Sequence, residues 1–285
     1  MRFILIILFL IPTLIHGQIN QRFHENQRPL FEFGVGAINL DIPYYPGSKE
    51  NQNRTIPFLW PVYRGKYLRL DQEGTRAKLT NSRFFEVGFS LGFSFPINSD
   101  DNPVRQGLED IDYVVEAGPR LIIRLISRSD WQKLNLNFSA RAAYEVSRSN
   151  LNSYHIGFTG GPSLSYWVYL NRKKSTSLFT SISVLFGDSS YNNFFYGVGP
   201  KNTQNNDVSK YYTADPGEVS RRIFTRIATN ISDTFQIFVG GFYSDLSNSA
   251  NVNGPLIEQK NNSGFALGFL WNFYQSDQKV AVYGD

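Results

Sequence analysis

Between Arg83 and Phe95 every second residue is apolar: Phe85, Val87, Phe89, Leu91, Phe93 and Phe95. The residues between them are small or polar: Glu86, Gly88, Ser90, Gly92 and Ser94. A strand sends successive side chains to opposite faces, so this segment has one greasy side and one quiet side. The pattern returns along the chain as far as Phe273, most cleanly over 133–146. There Leu134, Leu136, Phe138, Ala140, Ala142, Tyr144 and Val146 alternate with Lys133, Asn135, Asn137, Ser139, Arg141, Ala143 and Glu145. These runs are longer than those of a soluble sandwich, and they follow a secretion-type leader. Together the two features predict an all-β, antiparallel, up-and-down transmembrane barrel in an outer membrane.

The leader is Met1-Arg2, an apolar stretch from Phe3 to Ile15, and Gly17 at a cleavage position. It predicts a signal peptide over 1–17 with Gln18 as the mature start. The apolar run is shorter than the ~20 residues of a spanning helix. Mean hydropathy is −0.29, which resembles a soluble protein. That average misleads for a barrel, because lumen and loop residues cancel the lipid-facing ones. Cysteine is absent, which fits an exported chain with no disulfide framework. The formal charge of +4 falls when Arg2 leaves, and no basic cluster points to nucleic acid.

Alternation and turn signals divide the chain into twelve segments: 30–40, 57–63, 67–70, 75–79, 84–95, 111–126, 133–146, 154–170, 177–186, 219–231, 235–246 and 264–273. Without the short pair at 67–79 the count is ten, with the same polarity. The second segment is irregular, since Pro57 and Pro61 each remove a ladder donor. The barrel is thus expected over 30–273. A short periplasmic segment, 18–29, precedes it and a periplasmic tail, 274–285, follows. Barrels have short periplasmic turns and long outer loops, which puts 41–56, 71–74, 96–110, 147–153, 187–218 and 247–263 outside, all but 71–74 and 147–153 of them long. Trp131, Trp167, Tyr169, Trp271 and Phe273 fall near the periplasmic ends and form a candidate aromatic girdle.

The expected inward faces carry Glu32, Glu86, Glu116, Arg120, Arg124, Arg141, Glu145, Arg222 and Arg226. Two readings stand: an ion-pair network that fills a small barrel, or a polar pore that selects by charge. The loop 96–112 is acidic, with Asp100, Asp101, Glu109, Asp110 and Asp112 against Arg105, but matches no calcium-loop spacing. His155 is expected to face the lumen near the outer rim. No nucleophile or orienting group accompanies it in sequence, beyond a conceivable approach to Asp100–Asp101. Neither an enzyme nor a cofactor or metal is expected.

Several segments carry a family resemblance. Gly34-Val-Gly-Ala37, Pro43-Tyr-Tyr-Pro-Gly-Ser48, Gly107-Leu-Glu-Asp-Ile-Asp112, Val115-Glu-Ala-Gly118, Phe195-Tyr-Gly-Val198, Tyr212-Thr-Ala-Asp-Pro-Gly217 and Gly264–Phe273 occur in the order of the MipA/OmpV family of outer-membrane proteins. The resemblance spans nearly all of the mature chain. It implies an integral outer-membrane barrel in contact with lipid, inserted by the barrel-assembly machinery. It also implies a scaffold role, since the name-giving member binds a murein hydrolase (a membrane-bound lytic transglycosylase) and a murein synthase. Other members resemble porins or adhesins, so a narrow channel for small polar solutes is the alternative. No binding residue carries over. The chain departs from the family in the twelve residues after Phe273, where members commonly end: either barrel assembly tolerates this tail, or the tail pairs with something periplasmic.

Overall fold

The structure is a computed structural model that describes residues 27–65, 68–71, 74–77, 84–126, 131–199 and 211–281. The leader at 1–17 lies outside the described residues. In chain order the first strands are β1 (Gln27–Pro29), β2 (Phe31–Pro43), β3 (Asn51–Arg64), β4 (Leu68–Asp71), β5 (Gly74–Ala77) and β6 (Phe85–Ser94). Then follow β7 (Tyr113–Ile126), β8 (Gln132–Val146), β9 (Ser153–Tyr169) and β10 (Thr176–Gly187). After helix α1 (Ser189–Tyr196) come β11 (Gly217–Asn230), β12 (Phe235–Asp245), β13 (Asn261–Gln275) and β14 (Lys279–Ala281). Strands β2 to β13 close into one twelve-stranded antiparallel barrel, sealed where β13 pairs with β2. The short pair at 67–79 is therefore part of the wall, as β4 and β5.

The outer surface is the greasy side of the alternating segments. Phe89, Phe138, Leu164, Ile182, Ile223, Leu267 and Phe269 are all exposed on it. Such a face is stable in lipid, where each backbone group must be satisfied within the wall, and a closed ladder satisfies it.

Several boundaries differ from the sequence expectation. Strand β3 starts at Asn51 rather than Pro57, which shortens the first outer loop to 44–50. The half that alternation does not mark is the first, Asn51-Gln-Asn-Arg-Thr-Ile56, which is polar at both parities up to Ile56. Strand β13 runs past Phe273 to Gln275, because a bulge after Asn272 lets Tyr274 and Gln275 pair with Phe33 and Glu32. The tail then turns back, and β14 pairs with β1 outside the barrel. Its partner is thus the chain's own residues 27–29.

The two prolines of β3 find an explanation in register. The Arg64 amide donates to the Leu30 carbonyl (2.8 Å) and the Tyr44 amide to the Glu50 carbonyl (3.2 Å). Unbroken register between these points aims the even-numbered amides of β3 at β2 and the odd-numbered ones away from it. On that far side only Tyr63 and Arg64 meet β4. Strand β5 in turn meets β6 at a single described pair, Arg76 opposite Gly88. Pro57 and Pro61 therefore stand where an amide would face a seam with no described strand in it. Proline there removes no described ladder bond, since it has no amide to donate.

Candidate functional site

The lumen has two dissimilar walls. On β6 to β9 the inward residues include most of the barrel's small, polar and charged ones, alongside Ile122, Trp167 and Tyr169. Arg124 pairs with Glu86. Arg141 Nε lies 3.0 Å from Glu116 Oε2. Glu116 also accepts from the Thr159 hydroxyl (2.9 Å) and the Tyr191 hydroxyl (3.1 Å). A buried carboxylate with a cation and two donors around it is fully satisfied. At the opposite end of the barrel, where the connections are short, Glu32 is completely buried. It receives Arg64 Nη1 at 2.7 Å and Asn272 Nδ2 at 3.0 Å, while the same Arg64 nitrogen bonds the Pro29 carbonyl.

Beyond the Glu32, Arg64 and Asn272 group at its end, the other wall is apolar on its inner face. Ile38 and Leu40 of β2, Ile56, Phe58, Trp60 and Val62 of β3, Ala228, Phe238, Ala266 and Leu270 form one buried cluster.

A second buried cluster covers the outer end. Tyr45 from the first loop, Ile97, Leu108 and Ile111 from the second, α1 with Val198 and Ala214, and Leu256 from the last loop pack together. They rest on Val114, Ala143, Ile156 and Val219 at the outer ends of the barrel strands. Hydrogen bonds tie the loops to one another. The Tyr45 hydroxyl donates to the Leu256 carbonyl (2.9 Å) and that of Tyr196 to the Pro46 carbonyl (3.0 Å). Asn262 Nδ2 donates to the Ser48 carbonyl (2.7 Å) while its Oδ1 accepts from the Gly47 amide (2.6 Å). Helix α1 is capped by Asp188, whose carboxylate accepts from the Tyr191 amide (2.8 Å). The helix packs against Gly157 of β9, a residue at φ +131 where a Cβ would lie 2.5 Å from the Tyr191 nitrogen. Burial raises the pKa of Tyr45, Tyr191 and Tyr196 above the ordinary tyrosine value, which keeps all three neutral. Burial also lowers that of Arg105, whose guanidinium lies 5.6 Å from the Tyr45 ring and donates to the Phe195 and Glu109 carbonyls.

Of the charges expected inside, Glu32, Glu86, Glu116, Arg124 and Arg141 lie in the ion pairs above. Arg120 is half-buried on β7, opposite Gly88 and Ser139. Glu145 sits at the outer rim, where its carboxylate accepts from the Asp112 amide (2.9 Å). Arg222 donates to the Ser244 hydroxyl (2.8 Å) and stacks 4.5 Å from the Phe242 ring. Arg226 is buried, and none of its three guanidinium nitrogens has a hydrogen-bond partner among the described residues.

The girdle residues divide. Trp271 and Phe273 are exposed on the outer surface, Trp131 is exposed at a turn with its ring 6.4 Å from that of Tyr169, and Trp167 and Tyr169 are buried. Trp167 stands opposite Lys133 and Phe179, and Tyr169 opposite Ser177, all on the inner register. These two therefore cannot belong to an outer girdle. Gly160-Gly161 interrupts the alternation of β9 and hides which phase its last residues follow. His155 is also corrected. A bulge pairs Ala143 with Gly157 but Tyr144 with His155, which turns His155 outward. Its ring packs 5.3 Å from Tyr144 and 4.8 Å from Phe158, away from any nucleophile in the lumen. The acidic loop is used structurally: Asp110 and Asp112 pair with Arg148 at 3.5 and 2.5 Å, and the Asp110 carboxylate accepts from the Ser99 amide.

Sequence reasoning missed the apolar inner wall, although Pro57–Val62, apolar at both parities, was its signal. It also missed α1, whose cap Asp188 precedes an eight-residue helix within the long outer loop.

Comparisons with known proteins follow this geometry. The family model of the MltA-interacting protein MipA matches residues 34–273. No curated protein matches the chain. Among solved structures, a "Bacterial polysaccharide outer membrane secretin" aligns at 8% identity and TM-score 0.41, covering 87% of this chain and 99% of that one. The NanC porin aligns at 7% identity and TM-score 0.40, covering 84% and 98%. A Pseudomonas aeruginosa FadL homologue aligns at 9% identity and TM-score 0.34, covering 87% and 91%. The match to the family model covers most of the sequence, and with the closed twelve-stranded wall it places the chain in the MipA family of outer-membrane β-barrels.

Proposed function

We propose that this protein is a non-enzymatic anchor that holds peptidoglycan-remodelling enzymes at the periplasmic end of the barrel. The observation that carries this reading is the cap: four outer loops share one buried apolar core across the outer end, with α1 reaching down to Glu116. A barrel built to pass solutes needs an open outer mouth, whereas an anchor does not. The name of the family points the same way, as it refers to interaction with MltA, a murein enzyme. The partners are then a lytic transglycosylase and a murein synthase, and the docking surface is the periplasmic rim with the β1–β14 ribbon. The outward turn of His155 supports the absence of catalysis. The test is capture of a membrane-bound lytic transglycosylase by the tagged full-length barrel. Capture that is lost on deleting residues 279–285 agrees with the proposal. Capture no better than an untagged control overturns it.

The alternative, a narrow porin-like channel for small polar solutes, draws on a different observation. Inward Ser163, Ser165, Ser181 and Ser183 are only half-buried, so interior space lies beside β9 and β10.

A further inference from the structure

Arg226 is the exception among the arginines just described. It is 2% exposed, yet no carboxylate, carbonyl or hydroxyl reaches its Nε, Nη1 or Nη2 among the described residues. The ion-paired arginines Arg64, Arg124 and Arg141 each meet a glutamate, and Arg222 has the Ser244 hydroxyl. A guanidinium has five N–H donors and is always charged. Burying it bare is among the costliest arrangements a protein can adopt.

Its neighbours define what could satisfy it. Arg226 stands opposite Phe179 of β10, with its guanidinium carbon 5.8 Å from that ring. On the other side it stands opposite Gly240, which puts no side chain between β11 and the lumen. The next inward positions on β11 are Phe224 and Ala228, and those flanking Gly240 on β12 are Phe238 and Phe242. Four phenyl rings thus occupy register positions around one cation. Phosphate or sulfate would need several unmet cationic donors for its oxygens; Arg222 on the same face already holds the Ser244 hydroxyl, which leaves the Arg226 fork. A monocarboxylate needs two parallel donors, which one guanidinium provides in its fork. The phenyl groups suit an apolar, planar body attached to that carboxylate, and the half-buried serines of β9 and β10 border space for it.

We propose that Arg226 anchors a lumenal binding site for a small aromatic monocarboxylate. The carboxylate takes the guanidinium fork and the ring lies among Phe179, Phe224, Phe238 and Phe242. The site is independent of the scaffold role, which concerns the periplasmic rim.

Calorimetry on the purified full-length barrel in detergent tests this with benzoate as the probe. Wild type is expected to bind benzoate, and to bind benzyl alcohol and acetate at least about tenfold more weakly, since each lacks half of the recognition. R226Q is expected to lose about tenfold or more in benzoate affinity. R221Q, on the same strand but exposed, should match wild type. Heat-modifiable gel mobility reports that each variant is folded. If R226Q does not fold, mass spectrometry on wild type replaces it: benzoate should protect Arg226 from phenylglyoxal. Any of three results overturns the proposal: no benzoate binding, equal affinity for benzoate and benzyl alcohol, or neither loss in R226Q nor protection of Arg226. Competition by chloride as strong as that by benzoate would also overturn it, by showing a general anion site.

Discussion

On the wall made by β6 to β9 the inward residues include Glu86, Ser90, Glu116, Arg124 and Arg141, and each of these carboxylates lies against an arginine. On the wall made by β2, β3, β12 and β13 they include Ile38, Leu40, Phe58, Trp60, Val62, Phe238 and Leu270, packed against one another. Both walls present the same greasy exterior. Lipid therefore dictates one face of each strand, and the inner face is free to be polar and paired or apolar and packed. The two inner faces fail differently. A charge pair fails by leaving one buried ion without its partner, and a packed cluster fails by leaving a hole.

The largest effect is expected at the charge pair that is buried deepest, Glu32 with Arg64, which sits at one end of the otherwise apolar wall of β2, β3 and β13. Arg64→Ala leaves Glu32 with Asn272 alone and should cost about 3–5 kcal/mol, read from the denaturant midpoint of refolding into micelles. The double variant Arg64→Ala/Glu32→Ala should recover much of that loss, because no bare charge remains. On the apolar wall, Leu270→Ala should cost about 2–5 kcal/mol by the same measurement, as it opens a cavity in a packed cluster. Leu267→Ala, on the exposed outer face, should cost clearly less, since lipid fills the space. Equal losses at 270 and 267 would erase the distinction between packed interior and lipid-facing exterior.

A smaller effect is expected in the cap, which resembles the apolar wall in its packing but carries buried hydroxyls. Desolvation raises Tyr45 and Tyr196 above the unfolded tyrosine value of 10.0, and for Tyr45 the cation of Arg105 works against it. With the folded value above the unfolded one, their contribution is complete below about pH 10 and falls as pH rises beyond it. Protease cleavage within the outer loops should therefore accelerate above about pH 10 in wild type, and less so in Tyr45→Phe. The smallest effect leaves stability unchanged. In single-tryptophan variants, brominated lipid should quench Trp271 and spare Trp60 and Trp167. Quenching of Trp167 would return it to the girdle.

The sequence made the polar wall legible because β6 and β8 alternate cleanly, so Glu86 and Arg141 could be assigned to the lumen by parity alone. The partners could not be read, since Arg124 meets Glu86 only through the register of β6 on β7. Parity failed wherever both faces share a character or a bulge shifts the count. Trp60 lies in a run that is apolar on both sides. Trp167 follows two glycines, and His155 lies across a bulge. The cap was illegible for another reason. Its core joins Tyr45, Ile97, Tyr196 and Leu256 from four loops, and nothing local in any one of them signals the other three.

The central claim is that the outer end is sealed, and planar-bilayer recording on the purified full-length barrel tests it most directly. The account predicts a quiet baseline, without stable unitary currents, at neutral pH. Stable unitary currents from heat-modifiable, folded protein would contradict it and make the protein a channel.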